Sequence, residues 1–193
     1  MLALATFAAV RSGNRAAKVT ERALLAGIRP VLVPSRFQDP PEKVGFADDR
    51  WLKVPGGCGA AEVTAEAVYL AMALRNVGNG LAVLHGWDFR AERPSFDPTH
   101  GEPESFRRLT RDIYVASGDL GFWQGAFRDA SDSDFQAARD AITARQAITI
   151  DVLYGDHEGG QRTITRFALL PVEDGRWVAS ASRHWNIDRA DPR

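Results

Sequence analysis

The sequence predicts a mainly β fold, an immunoglobulin-like antiparallel β-sandwich entered through an N-terminal helix and carrying one short helical insertion. Three observations predict it. About eight or nine short runs rich in β-branched and aromatic residues succeed one another, separated by Gly, Pro, Asn and Asp at sandwich-like intervals. These runs do not alternate with helical patterns, which disfavours a parallel doubly wound sheet. Helical periodicity is confined to the front of the chain and to residues 131–146.

Taken in order, Ser12 to Ala26 reads as a helix. Arg11, Arg15, Lys18 and Arg22 recur at steps of four, three and four, which aligns them along one stripe. Gly27 stops the helix and Pro30 prevents its continuation. VLVPSRF (31–37) is a first strand, cut short by Pro34 and therefore expected at an edge. QDPPEKVGFADD (38–49) reads as a turn-rich connection, and RWLKV (50–54) as a second strand closed by PGGCG (55–59). In VYLAMALRNV (68–77), Val68, Leu70, Met72 and Leu74 alternate with Tyr69, Ala71, Ala73 and Arg75, the period of a strand with one greasier face. GNG (78–80) turns the chain into LAVLHGWDF (81–89). The proline-rich segment 92–105 is the longest expected loop, after which DIYVAS (112–117) and GFWQGAFRD (121–129) form another pair of strands. The helical insertion at 131–146 has capping candidates from Ser131 to Asp134, with Phe135, Ala138 and Ile142 on its apolar side. The last three runs, 147–156, 162–172 and 176–187, form a meander in which Ile148, Ile150, Val152 and Tyr154 make one buried face.

Composition bounds the function. The 193 residues carry a net charge of −1 and a single cysteine, Cys58, which excludes an internal disulfide framework and a zinc site built on several thiolates. The near-neutral total removes the electrostatic case for nucleic acid. The average conceals an asymmetry: residues 1–36 hold six basic groups and one acid, a charge of +5, which leaves −6 on the rest. Two units are expected, an apolar and basic helix at 1–29 and a β-sandwich domain at 30–193. The leading MLALATFAAV is ten uncharged residues, half the roughly 20 that a membrane-spanning helix needs. Its charges follow the apolar run, the reverse of a secretory signal. A partial anchor and a surface helix remain open as readings of it.

An Arg- and Ala-rich helix, the strand RPVLV and the stretch LRNVGNGLAVLHGW together resemble a set of bacterial membrane-anchored proteins, in which an N-terminal transmembrane helix precedes a β-sandwich domain. LYGDHEGGQRTITRF is similar to that set's Y-x-D-x-x-G strand-turn element. The resemblance implies a fold and a location and no catalytic residues; the location expected is the cytoplasmic face of the membrane, or the cytoplasm if the N-terminal segment is not an anchor. The departure is at the front, where this sequence has ten apolar residues in place of a full span.

Candidate chemistry is sparse. Asn76, Gly78, Asn79 and Gly80 mimic a phosphate-binding turn, but a strand follows where a dinucleotide fingerprint needs a helix, so a tight turn with positive φ is expected. Asp156, His157 and Glu158, with His184 from the neighbouring strand, are the densest set of possible metal ligands. His85 is expected in the core or at an edge. Cys58 lies in a turn and is expected exposed or half-buried, with no base to activate it. Trp87, Trp123, Trp177 and Trp185, with Phe89, Phe122, Phe127 and Tyr114, are either core or a stacking platform, with Arg166, Arg183 and Arg189 as a polar rim. The functional expectation is a non-enzymatic, membrane-proximal interaction domain. It binds a protein partner or a second copy and touches the membrane surface through residues 1–22, with no cofactor. The alternative is a small metal-dependent hydrolase around Asp156, His157, Glu158 and His184.

Overall fold

A computed structural model describes residues 2–92 and 99–189, with side chains from residue 11 onward. The chain is mainly β. Helix α1 (Leu2–Gly27) leads to β1 (Leu32–Pro34), β2 (Glu42–Gly45), β3 (Trp51–Val54), β4 (Cys58–Val63), β5 (Val68–Asn76) and β6 (Ala82–Arg90). Then come β7 (Arg107–Arg108), β8 (Tyr114–Val115), β9 (Leu120–Phe127), α2 (Ser133–Thr143), β10 (Ile148–Gly155), β11 (Thr163–Pro171) and β12 (Trp177–Asn186). Residues 93–98 of the expected long loop, and the side chains of the leading decapeptide, lie outside the described residues.

Ten strands form one antiparallel sheet, and β2 and β3 form a separate hairpin. β5 pairs with β9 along residues 68–75. β4 and β1 therefore share its other edge, at 68–72 and 74–76. From β4 the sheet continues through β12, β11 and β10 to β6, whose outer edge is shared by β7 and β8. The sheet folds over so that its two halves enclose one core, an arrangement consistent with a β-sandwich. Leu70, Met72 and Leu74 of β5 meet Ile148, Ile150, Val152 and Tyr154 of β10 there, all of them fully buried.

The expected meander is present as β10, β11 and β12 in sequence order. Pro34 closes β1, an edge strand where a missing amide is tolerated, and the next amide, that of Ser35, still donates to the Ala73 carbonyl of β5. α2 begins at Asp132, whose carboxylate accepts from the Asp134 amide, and it buries Phe135, Ala138, Ala141 and Ile142 against the core. It closes one pole of the sandwich.

Four expectations are corrected. The connection 38–49 contains a strand, β2, whose alternation is only four residues long between Pro41 and the turn at 46–49. That hairpin lays Val44, Phe46, Leu52 and Val54 over Tyr69, Ala71 and Ala73, so both faces of β5 are buried and the strand has no solvent face. The runs 112–117 and 121–129 are not paired with each other: β8 joins β6 and β9 joins β5, at the two ends of the strand order. Cys58 begins β4 and is fully buried: the turn closes at 55–58 with its amide on the Pro55 carbonyl, and the residue is already paired with Val178 of β12.

At the opposite pole from α2, the turn after β5 explains its glycines. A Cβ on Gly80 would lie 1.6 Å from the Ile28 carbonyl oxygen, and one on Gly78 would lie 2.3 Å from that of Arg29. Close approach of the 28–31 backbone, and not positive φ, is what the two glycines supply; the left-handed glycines are Gly57, Gly118, Gly159 and Gly175. Fully buried Asn76 ties this pole together. Its Oδ1 accepts from the Val31 and Gly78 amides, and its Nδ2 donates to the Gly80 and Val115 carbonyls.

Candidate functional site

Three places gather chemistry-bearing side chains. The first is the turn between β10 and β11. Asp156 is buried and committed to the turn, accepting from the Gly160 amide and from Gln161 Nε2. His157 and Glu158 are exposed and pair with each other at 3.2 Å. His184 Nδ1 lies 2.7 Å from Thr165 Oγ1, which in turn meets the buried Tyr154 hydroxyl at 3.0 Å. Among the described residues no three His, Cys, Asp or Glu side chains are grouped to hold a metal ion. The Gln161 amide also donates to the Leu25 carbonyl, so this turn anchors the last turn of α1.

The second place is the outer face of β6, β10, β11 and β12. Pairing registers align Asp88, Asp151, Arg166 and Arg183 in one row across the four strands. Arg166 grips Asp151 through two parallel bonds of 2.7 Å, with both side chains almost fully buried. Its Nη2 also donates to the Thr99 carbonyl, and its guanidinium lies 4.8 Å from the centre of the Trp185 ring. Burial holds the Asp88 carboxyl above the ordinary aspartate range, against the pull of Arg90. Phe106, Leu153, Ile164 and Trp185 fill the space beneath the 99–106 segment. The arrangement fastens a loop to a sheet, which fits its depth.

The third place is the seam. Among the described residues β9 has no strand partner on its outward edge, and the segment 107–115, which runs along β6 as β7 and β8, has none on its own. Near the α1 pole the gap is closed by the chain itself at 116–119, which Asn76 of β5 holds by a bond to the Asp119 carbonyl and one from the Gly118 amide. Near the α2 pole Arg107 donates to Asp132 and Asp134 at 2.8 and 2.7 Å, and it lies over Phe127. Between these closures is a cavity of about 260 Å³. Its floor is Trp87, and its rim carries Arg107, Arg108, Arg111 and Arg128 with no acidic side chain among its lining residues. Arg128 bonds Asp48, whose carboxyl is held down to about 2 chiefly by the Tyr69 hydroxyl and then by Arg128 itself. Arg108 and Arg111 are exposed and make no salt bridge among the described residues. Gln124 donates to Asp112, but its Oε1 is buried at the cavity without a hydrogen-bond partner among the described residues. A wider surface recess of about 630 Å³ beside exposed Phe37 is rimmed by the 171–178 hairpin, and it has no such convergence of charge.

The aromatics divide accordingly. Trp87, Trp123, Trp177, Trp185, Phe89 and Phe127 are buried, and edge-on contacts of Trp87 with Trp123 and Phe127 at 5.2 Å bridge β6 and β9 inside the seam. They form no outer platform; of the expected set only Tyr114 is largely exposed. Arg166, Arg183 and Arg189 do not form one rim, since Arg166 is buried, Arg183 stacks on Trp185 and Arg189 is exposed. His85 is half-buried, and burial first, then Arg162, holds its imidazole below the usual range. Sequence reasoning missed the seam because its Arg107, Arg108 and Arg111 sit in a stretch that reads as loop, and only the strand order brings that stretch opposite β9.

Comparisons with protein-family models, with curated proteins and with solved structures find no match for this chain.

Proposed function

We propose that this chain is a non-enzymatic interaction domain held at the cytoplasmic face of a membrane. Residues 1–22 engage the membrane surface, and the β-sandwich domain presents itself to a protein partner. The observation that carries the reading is the state of α1. Residues 11–24 of the helix are exposed on every side, with Arg11, Arg15, Lys18 and Arg22 along one stripe and Val19 and Leu24 open to solvent. A 26-residue helix is about 39 Å long, and the roughly 21 Å of it at residues 11–24 is not covered by the body. Its attachment to the body is made at the other end, where Leu25 packs beside Gly160 and accepts from Gln161. Among the described residues no helix is long and apolar enough to cross a membrane, and the engagement proposed is with the surface.

Each Lys or Arg near an anionic leaflet contributes about 1 kcal/mol, and four together favour binding by about 4 kcal/mol, roughly a thousand-fold in partition. The test is co-sedimentation of the full chain with vesicles of phosphatidylcholine and phosphatidylserine. Binding is expected at low salt, weakening as ionic strength rises. It should be lost in the variant carrying Arg11→Glu, Arg15→Glu, Lys18→Glu and Arg22→Glu. Equal sedimentation of the two proteins, or none of either, would overturn the membrane reading.

A further inference from the structure

We infer that the seam between β9 and the 107–115 segment is a docking groove for an extended, acidic segment of a protein partner, which adds a strand to the open edge of β9. The inference rests on the partner-binding half of the reading above and names the chemistry of the partner.

Three independent observations carry it. The first is the edge itself. β9 is eight residues long, about 27 Å of strand, and its outward amides and carbonyls have no ladder partner among the described residues. The sheet would close into a barrel if β9 met 107–115 directly, but among the described residues no ladder joins the two; between the poles they are linked by side chains alone, Gln124 to Asp112 and Trp123 and Phe127 against Trp87. An unpaired edge of this length is a template for another strand unless it is covered or charged. The second is the shape of the gap. Small-molecule sites generally occupy about 300–1,000 Å³, and the roughly 260 Å³ above Trp87 is below that range. It suits one or two side chains of an inserted strand, with an apolar one set against the Trp87 ring. The third is charge. Among the described residues Arg108 and Arg111 make no salt bridge and no carboxylate lines the cavity, the nearby Asp112 being bonded to Gln124. Buried Gln124 Oε1 adds an acceptor that awaits a donor, which the amide of an added strand supplies. A basic rim above an aromatic floor selects a strand that alternates acidic and apolar residues.

The experiment uses the full chain and a fluorescein-labelled octapeptide of alternating Glu and Val, with its Lys and Val counterpart as control. Anisotropy measures binding, and amide hydrogen exchange measures where the peptide lies. The expected result is binding of the Glu peptide at least tenfold tighter than the Lys peptide. It should come with new protection across 120–127 and little change in β11, which is already paired on both edges. Arg108→Glu with Arg111→Glu should weaken binding by tenfold or more without altering the fold, because both side chains are exposed. Indifference to the sign of the peptide charge, or binding with no added protection in β9, would overturn the inference. So would protection of β9 that grows with protein concentration alone, which assigns the edge to a second copy. Vesicle binding is a separate readout: its loss with peptide binding intact removes the membrane reading only, and the converse removes the groove only.

Discussion

At the scale of single residues, the two most deeply committed charges are Asp151 and Arg166, and they serve architecture. A buried ion pair contributes little net stability relative to apolar replacements, yet removing one partner strands the other away from water. Asp151→Asn is therefore expected to lower unfolding free energy by about 3–5 kcal/mol in urea titration, and Asp151→Leu with Arg166→Met should recover most of that loss. The same variants test what the pair fastens, since Arg166 also holds the Thr99 carbonyl. Loosening of the 99–106 segment should appear as faster amide exchange there before any global change. Asp48 makes a different statement. Its folded-state pKa is depressed to about 2 by Tyr69 and Arg128, below the ordinary 3.8. The stability it contributes is present above about pH 4 and is lost as pH falls toward 2. Asp48→Asn should remove that acid-limb dependence and should loosen the β2–β3 hairpin, which Asp48 links to β5 and to Arg128.

At the scale of elements, the turn at 77–80 shows how much the chain sequence disclosed. That a turn lies between two long strands was legible from Gly78, Asn79 and Gly80, and so was its lack of phosphate-binding context. The reason for the glycines was not, because it depends on residues 28–31, some fifty positions away, crossing directly against them. Gly80→Ala is expected to destabilise by about 3 kcal/mol or more, since the new methyl meets backbone that cannot rotate aside, and a thermal or urea melt measures it. Strong alternation over long runs made β5, β6 and the β10–β12 meander readable, and the Asp132 cap with Phe135, Ala138 and Ile142 made α2 readable. Short, weakly patterned strands were not: β2 spans four residues and β7 two. Their identity comes from the neighbours they pair with. The seam cavity inherits that difficulty, for it is bounded by β7 on one side and by an edge of β9 that only the strand order leaves open.

At the scale of the whole molecule, the chain has two units that differ in how they are held. The body is stabilised by long-range strand pairing and a core spanning both halves of the sheet, while residues 11–24 of α1 rest on helix propensity alone. A single helix without tertiary packing is marginal in water and opens easily. Trypsin is therefore expected to cut at Arg11, Arg15, Lys18 or Arg22 before any site in the described body. The remaining fragment should unfold at the same urea midpoint as the full chain. If the membrane reading holds, anionic vesicles should slow those first cuts and leave later ones unaffected.

The buried amide of Asn76 touches the root of α1 at Val31, the turn at Gly80 and the seam at Val115 through one side chain. It is thus a mechanical junction. Tension applied along an N-terminal helix fixed to a surface arrives at residues 28–31, and Asn76 passes it sideways into the edge of the groove. The Val77 and Asn79 amides, bonded to the Val31 and Arg29 carbonyls, share that load, so a domain pulled from its front would bear it at the pole that also closes its proposed docking edge.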